Sequence, residues 1–242
     1  MSLIRASSLP EDERPGYCST ADAFDKYLMY ALKYLLCLDY CYFPSNSTFK
    51  MDAKETLKAH VSQLVTLTDA QFEHLYAHFK PMSFTKGQEI IAAGDLVDSE
   101  YFVLSGCLKS FFIDDDRKMY VLQFAMKNWW TSDYDALYNQ SKAAVHIDCV
   151  LDADVLRLTN QDREKVCKEI HEIERFFRLR TNRGYVASQK RLLSVMTDDA
   201  RERYEALIRQ YPELYKLLPK TLIAAYLGVS RETLSRLYND EK

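Results

Sequence analysis

Residues Lys220 to Tyr238 read KTLIAAYLGVSRETLSRLY, and no other stretch of the chain constrains the fold so tightly. A first helix there turns Ile223 and Leu227 inward, Gly228 supplies a left-handed turn that a side chain would oppose, and Val229 fills the corner beneath it. Ser230 caps a second helix whose inward residues are Leu234 and Leu237, while Ala224 keeps the crossing of the two helices close. These sizes at these places predict a helix-turn-helix. The outward face of the second helix carries Arg231, Glu232, Ser235 and Arg236. Arginine can bond O6 and N7 of guanine with two parallel donors, and glutamate can accept from the cytosine amino group, so this face suits base reading. Ser230 and Thr233 stand at the helix start, where hydroxyls and free backbone N–H groups suit a phosphate. A solvated charged helix end is the simpler alternative, but it has no need of the Gly-Val-Ser turn.

Working back from this motif, Pro212 closes a short helical segment from Asp198 to Tyr211. From an N-cap at Thr159 or Asn160 the chain then runs about 50 residues without proline, enough for a long helix. Phe176, Leu179, Val186 and Leu193 recur on one side of it, interrupted by Arg183 and Lys190. Such a stripe pairs with a second copy or docks on its own barrel, and periodicity does not choose between them. Before it, between Pro81 and Trp130, short apolar runs (Gln88 to Ala92, Tyr101 to Leu104, Leu108 to Ile113, Tyr120 to Phe124) are separated by Gly94-Asp95, Ser105-Gly106 and Asp114-Asp115-Asp116. Further strands are expected at Ala144 to Leu151 and Val155 to Leu158, completing a β-barrel or jelly roll. Two helices between Asp52 and Phe79 precede the roll, the second capped by Thr68.

At Ser230 to Arg236 the chain resembles the Crp/Fnr family of bacterial transcription regulators, whose recognition helix commonly reads Ser-Arg-Glu-Thr followed by a small residue and Arg. The resemblance continues through Phe84, Gly87, Ile90, Gly94-Asp95, Tyr101-Phe102-Val103, Gly106 and Leu108, which look like the family's cyclic-nucleotide-binding roll. It implies an α+β fold: an N-terminal jelly-roll-like β-roll sensor domain, a long dimerisation helix and a C-terminal helix-turn-helix domain. The corresponding division is 51–165 for the roll, 166–196 for the dimerisation helix and 197–242 for the helix-turn-helix domain. Residues 1–50 fall outside the resemblance, as an extra helix or as an extension upstream of a natural start at Met51, the second being favoured. The function so implied is a cytoplasmic homodimer that binds double-stranded DNA at a near-palindromic operator, with RNA polymerase as a partner.

Cyclic-nucleotide binders of this family carry Gly-Glu-Leu and then Arg-Ser or Arg-Thr-Ala around the ligand phosphate. Here Ser132-Asp133 stands for Gly-Glu and Lys142-Ala143-Ala144 for Arg-Ser-Ala. Lysine lacks the planar two-pronged grip of guanidinium, so a pocket built on Ser132, Asp133 and Lys142 is expected not to take cAMP, and no cofactor is assigned. An iron–sulfur centre would need a compact cysteine cluster; Cys18, Cys37, Cys41 and Cys107 imitate one only loosely, and Cys149 and Cys167 add nothing to it. Of the histidines, His146 alone lies in the roll, which suits neither haem nor a metal-dependent jelly-roll enzyme, so no catalysis is expected. Trp129, Trp130, Tyr134 and Tyr138 read first as core and second as the wall of an apolar pocket.

Composition agrees with an ordinary globular chain: 48% of its 242 residues are hydrophobic and 28% charged, which excludes low-complexity and structural-rod readings. Scattered cysteines read as reduced thiols, and no signal-peptide order precedes the acidic, Pro-containing stretch Leu9 to Gly16. The apolar run Phe24 to Phe43 contains Asp25, Lys26, Lys33 and Asp39, too costly for a membrane span. Residues 1–160 carry 15 basic and 22 acidic side chains, residues 161–242 carry 17 and 13, so the back half is the better DNA partner. The alternative function is a cyclic-nucleotide-binding-like module that regulates a partner protein through its C-terminal helices.

Overall fold

The computed structural model describes residues 52–239. Two short helices, α1 (Ala53–Ser62) and α2 (Asp69–Tyr76), lead in. Thr68 caps α2 as expected, in a reciprocal capping box with Gln71. The roll comprises β1 (Lys80–Phe84), β2 (Glu89–Ile91), β3 (Ser99–Ile113), β4 (Met119–Met126), β5 (Trp130–Thr131) and β6 (His146–Thr159), with the short helix α3 (Tyr134–Asn139) between β5 and β6. All pairings are antiparallel; β6 lies between β1 and β3, and β4 is an edge.

Two of the expected breaks between strands do not occur. Tyr101 to Leu104 and Leu108 to Ile113 belong to one continuous β3, and the last two expected strands belong to one β6. Ser105-Gly106 is a bend rather than a turn: β3 and β6 stay paired across it with register shifts at Val103, Ser105 and Cys107. Gly106 has φ +82°, and a Cβ there would lie 2.1 Å from the carbonyl oxygen of Asp152. The bulges let a long pair curl into a roll, so the glycine marks curvature where the sequence pattern implies a chain reversal.

Period-two alternation along β3 feeds two cores. Tyr101 and Val103 face the roll interior with Leu108, Ile147 and Val155, whereas Phe102 faces α1, α2 and the helices after the roll. Those helices are α4 (Asn160–Glu169) and α5 (His171–Thr197), which part at Ile170. Phe176 and Phe177 of α5 are buried beside Phe102, Trp130 and Leu156. Each such side chain contributes roughly 1.5–3 kcal/mol. The predicted stripe therefore divides: Phe176 is buried and Leu179 half-buried, while Val186 and Leu193 are exposed. Its first half docks on the roll, and its second half projects beyond it.

A buried carboxylate secures that docking. Glu100 of β3 is 1% exposed, with Arg180 Nη2 at 2.7 Å and Arg163 Nε at 3.7 Å. Despite its burial, the guanidinium of Arg180 is held firmly protonated by the charge of Glu100 and their contact. Arg180 also lies over Trp130, 4.3 Å from the ring centroid. The Trp130 Nε1–H donates to Nε2 of His60 on α1 at 3.2 Å, which requires a neutral imidazole.

Burial, together with the charges of Arg180 and Arg183, pushes His60 down to about 4. A folded-state value below the unfolded one makes its contribution fully present above pH about 6.5 and lost as pH falls toward 4. Urea unfolding across that window is expected to show a loss of at most ~3 kcal/mol from this group, and His60→Gln, which keeps an acceptor for Trp130, to flatten that limb. An unchanged acid limb in the variant refutes the assignment.

Candidate nucleic-acid interface

After α5 come α6 (Ala200–Gln210), α7 (Pro212–Leu217), α8 (Lys220–Leu227) and α9 (Arg231–Asn239). Pro212 follows the end of α6 as expected and is itself the first residue of α7, where its missing N–H is no loss. The two helices of the sequence motif are α8 and α9. Gly228 is left-handed at φ +70°, and Ile223, Ala224, Leu227 and Leu234 are buried while Val229 and Leu237 pack against them. Ser230 Oγ accepts from the Thr233 backbone N–H at 3.1 Å, which closes the cap of α9.

Arg231, Glu232, Ser235 and Arg236 are all exposed, and the half-buried Thr233 stands apart from them. The Ser230 hydroxyl lies 3.1 Å from that of Thr233, and Arg236 Nη2 donates to Thr233 Oγ1 at 3.4 Å. The hydroxyls expected to meet a phosphate are thus engaged with one another in the free protein. Glu232 is held below the usual carboxylate range by its own backbone N–H and by Ser230, so it stands as an acceptor. Among the described residues the segment from 197 onward is helical only, with no wing strands. It is also not basic: residues 197–242 carry 8 basic and 8 acidic side chains, so the positive excess of the back half resides in 161–196. Net charge therefore gives this segment no attraction for a polyanion, and its positive charge is a matter of where individual arginines stand.

The helical unit is packed on the roll. Phe111, Val121, Phe124 and Met126 form one apolar cluster with Tyr204, Leu207, Leu214, Ile223 and Leu227. Tyr226 lies 5.3 Å from Phe124 between ring centroids, and Trp129 meets Tyr211 edge-on at 5.5 Å. An open groove of about 230 Å³ runs between the β3–β4 hairpin, at Lys118 to Tyr120, and the turn of the motif at Gly228, Val229 and Arg231.

The three residues expected to line an effector pocket behave differently. Ser132 is buried and donates to the Ser99 carbonyl at 2.8 Å. Asp133, 5% exposed, caps α3 by accepting from Ala136 N–H at 3.1 Å, and its other oxygen accepts from Ala144 and Val145 N–H at 2.8 and 3.2 Å. Lys142 stands exposed on the loop that Leu96 bridges. A carboxylate of the protein therefore sits on three amides at both ends of the segment where a ligand was sought. The local signal for this role is an aspartate one residue before a helix, an N-cap, which the family correspondence at Ser132-Asp133 obscures.

Trp130 is core, as the first reading had it. The imidazole of His146 is paired with Glu89 at 2.8 Å and stacked on Phe111. Cys107 and Cys149 are buried and Cys167 half-buried, and burial pushes their thiols up to about 12, 11 and 11, against thiolate chemistry. Cys18, Cys37, Cys41 and the rest of the N-terminal stretch lie outside the described residues. No group of three metal-ligating side chains converges among the described residues, and no described helix is long and apolar enough to cross a membrane.

No family model matches the chain and no curated protein matches its sequence. Solved structures do match in fold. The c-di-GMP-responsive global regulator CLP of Xanthomonas campestris aligns with a TM-score of 0.59 over 72% of this chain and 91% of its own, at 12% identity. FixK2 of Bradyrhizobium japonicum gives 0.59 over 67% and 83% at 17% identity, and a CRP/FNR-family transcriptional regulator of Thermus thermophilus gives 0.52 over 66% and 84% at 17%. The architecture, a β-roll followed by helices and a C-terminal helical unit, is that of the Crp/Fnr transcription regulators.

Asp133→Ala leaves three amides without their acceptor and is expected to cost about 2–4 kcal/mol. Thermal melting should fall by roughly 4–16 °C, with Asp133→Asn intermediate, since it keeps one acceptor oxygen. Wild-type melting in the alanine variant contradicts the role given to the carboxylate.

Proposed function

We propose that this chain is a DNA-binding transcription regulator that reads a near-palindromic operator as a homodimer. One observation carries the reading: the candidate base-contacting side chains of α9, Arg231, Glu232, Ser235 and Arg236, are exposed on a capped helix of a helix-turn-helix, in a fold shared with transcription regulators. Dimerisation is supported by the projecting half of α5. Tyr185, Val186, Leu192, Leu193, Val195 and Met196 are between 48% and 73% exposed there, and a second copy of the same helix would cover them. Two-fold symmetry then places half-sites about one helical turn apart. The protein so read acts in the cytoplasm beside RNA polymerase and performs no catalysis of its own.

The roll is proposed not to respond to cAMP. Asp133 already occupies the amides of Ala136, Ala144 and Val145, and a cyclic phosphate approaching them meets a fixed negative charge without an arginine fork to offset it. The fold itself does not demand cAMP, since the Xanthomonas campestris protein is c-di-GMP-responsive. Calorimetry with cAMP is expected to show no saturable heat; tight binding overturns this part of the reading.

The main test is selection of duplexes from a random pool. Wild type should enrich an inverted repeat, with affinity falling as salt rises. The Arg231→Ala, Arg236→Ala double variant should lose at least about 100-fold on that repeat, on the order of two bidentate base contacts. No enrichment by wild type, with capture of a protein that the double variant also captures, favours a partner-protein module instead.

A further inference from the structure

We infer that Arg191 is a positioning residue that ties the projecting helix, the roll and the reading head into one geometry. The inference rests on the DNA-reading function proposed above. From 181 to 197, α5 is exposed at every position except Arg191 and Ser194, so this stretch has little hold on its own chain. Arg191 provides one. Its Nη2 donates to the Val121 carbonyl of β4 and to the Tyr226 carbonyl of α8, both at 2.9 Å, and its guanidinium carbon is 3.6 Å from the Tyr226 ring centroid.

Both acceptors lie at the margins of their elements. β4 is the edge of the sheet, and Tyr226 is the penultimate residue of α8, whose last carbonyls have no intrahelical donor. The carbonyl of the last residue, Leu227, is taken by Arg203 Nε at 3.1 Å. Two guanidinium groups therefore hold the carboxyl end of α8, where the helix dipole also favours positive charge. The turn at Gly228 and then α9 follow at once, so whatever orients this end orients the reading face. Arg203 bonds only within the C-terminal helical segment and its lead-in at Asp198; Arg191 alone of the two comes from α5 and reaches the roll.

In the proposed dimer α5 runs along the symmetry axis, so Arg191 links that axis to each reading helix and sets the separation of the two α9 helices. Loss of the link leaves each head seated on the roll by the shared apolar cluster, which is non-directional, so its orientation is less sharply fixed while its own fold is unaltered. It should therefore change which half-site spacings are accepted, and not how a single half-site is read.

The experiment uses the full chain as wild type, Arg191→Ala and Arg191→Lys, on inverted repeats of varied centre spacing and on a single half-site. Arg191→Ala is expected to lose roughly tenfold on the best spacing, to flatten the spacing preference, and to keep half-site affinity within about twofold. Arg191→Lys should recover part of the preference, because an ammonium can donate to both carbonyls but cannot stack as a plane on Tyr226. Amide exchange read in parallel should quicken in residues 220–239 of the alanine variant and stay unchanged in β3 and β6. An unaltered spacing profile with unaltered exchange overturns the inference, as does an equal loss on half-site and repeat with a lowered melting temperature. If wild type selects no repeat, the DNA reading fails, and the exchange comparison alone decides for or against the link.

Discussion

A carboxylate at 1% exposure needs a positive neighbour, and the neutralisation of Glu100 organises much of the molecule. Its partners, Arg163 and Arg180, lie on α4 and α5, so meeting this electrostatic demand brings both helices onto the roll. The apolar contacts of Phe176 and Phe177 supply most of the favourable burial, but burial is non-directional. The ion pair adds the register along the helix. Beyond Arg180, α5 is exposed from 181 to 190 and meets the roll again at Arg191.

The helix-turn-helix unit is held on the roll by a different kind of contact. Its apolar side chains share a cluster with β3 and β4, so the roll supplies part of the core under α8. In the absence of wing strands among the described residues, the β3–β4 hairpin is the β-structure beside the motif. Local chemistry accounts for the shape of the helix-turn-helix: a left-handed glycine, a serine cap and three spaced leucines. Orientation is another matter. The contacts that bear on it join Phe124, Tyr226 and Arg191, residues more than a hundred positions apart at the extremes.

Legibility followed the range of the interaction. The Thr68 cap, the Gly228 turn and the inward places of Ile223, Leu227 and Leu234 were readable because each depends on neighbours within a few residues. The continuity of β3 through Gly106 was not, since the reason for that glycine is the carbonyl of Asp152 on another strand. The break at Ile170 and the division of the α5 stripe were hidden in the same way: Phe176 and Leu193 are equally apolar, and only the extent of the roll beneath them separates a buried residue from an exposed one. The exposure of the four candidate residues on the outer face of α9 was legible from helical spacing, whereas the engagement of Asp133 with amides eleven and twelve positions away required the loop to be folded back.

By itself, then, the sequence determined the kinds of element and the chemistry of their faces: a roll, a helical run after it, and a capped helix presenting arginine and glutamate outward. Periodicity, caps and glycine turns are local, and a chain carries them in its own order of residues. Only the tertiary structure decided which half of the long helix stays uncovered, that a buried aspartate already fills the amides of the roll's loop, and that an arginine of the projecting helix grips both the sheet edge and the end of α8. Those outcomes depend on distances between remote segments, and packing sets such distances without leaving a pattern along the chain.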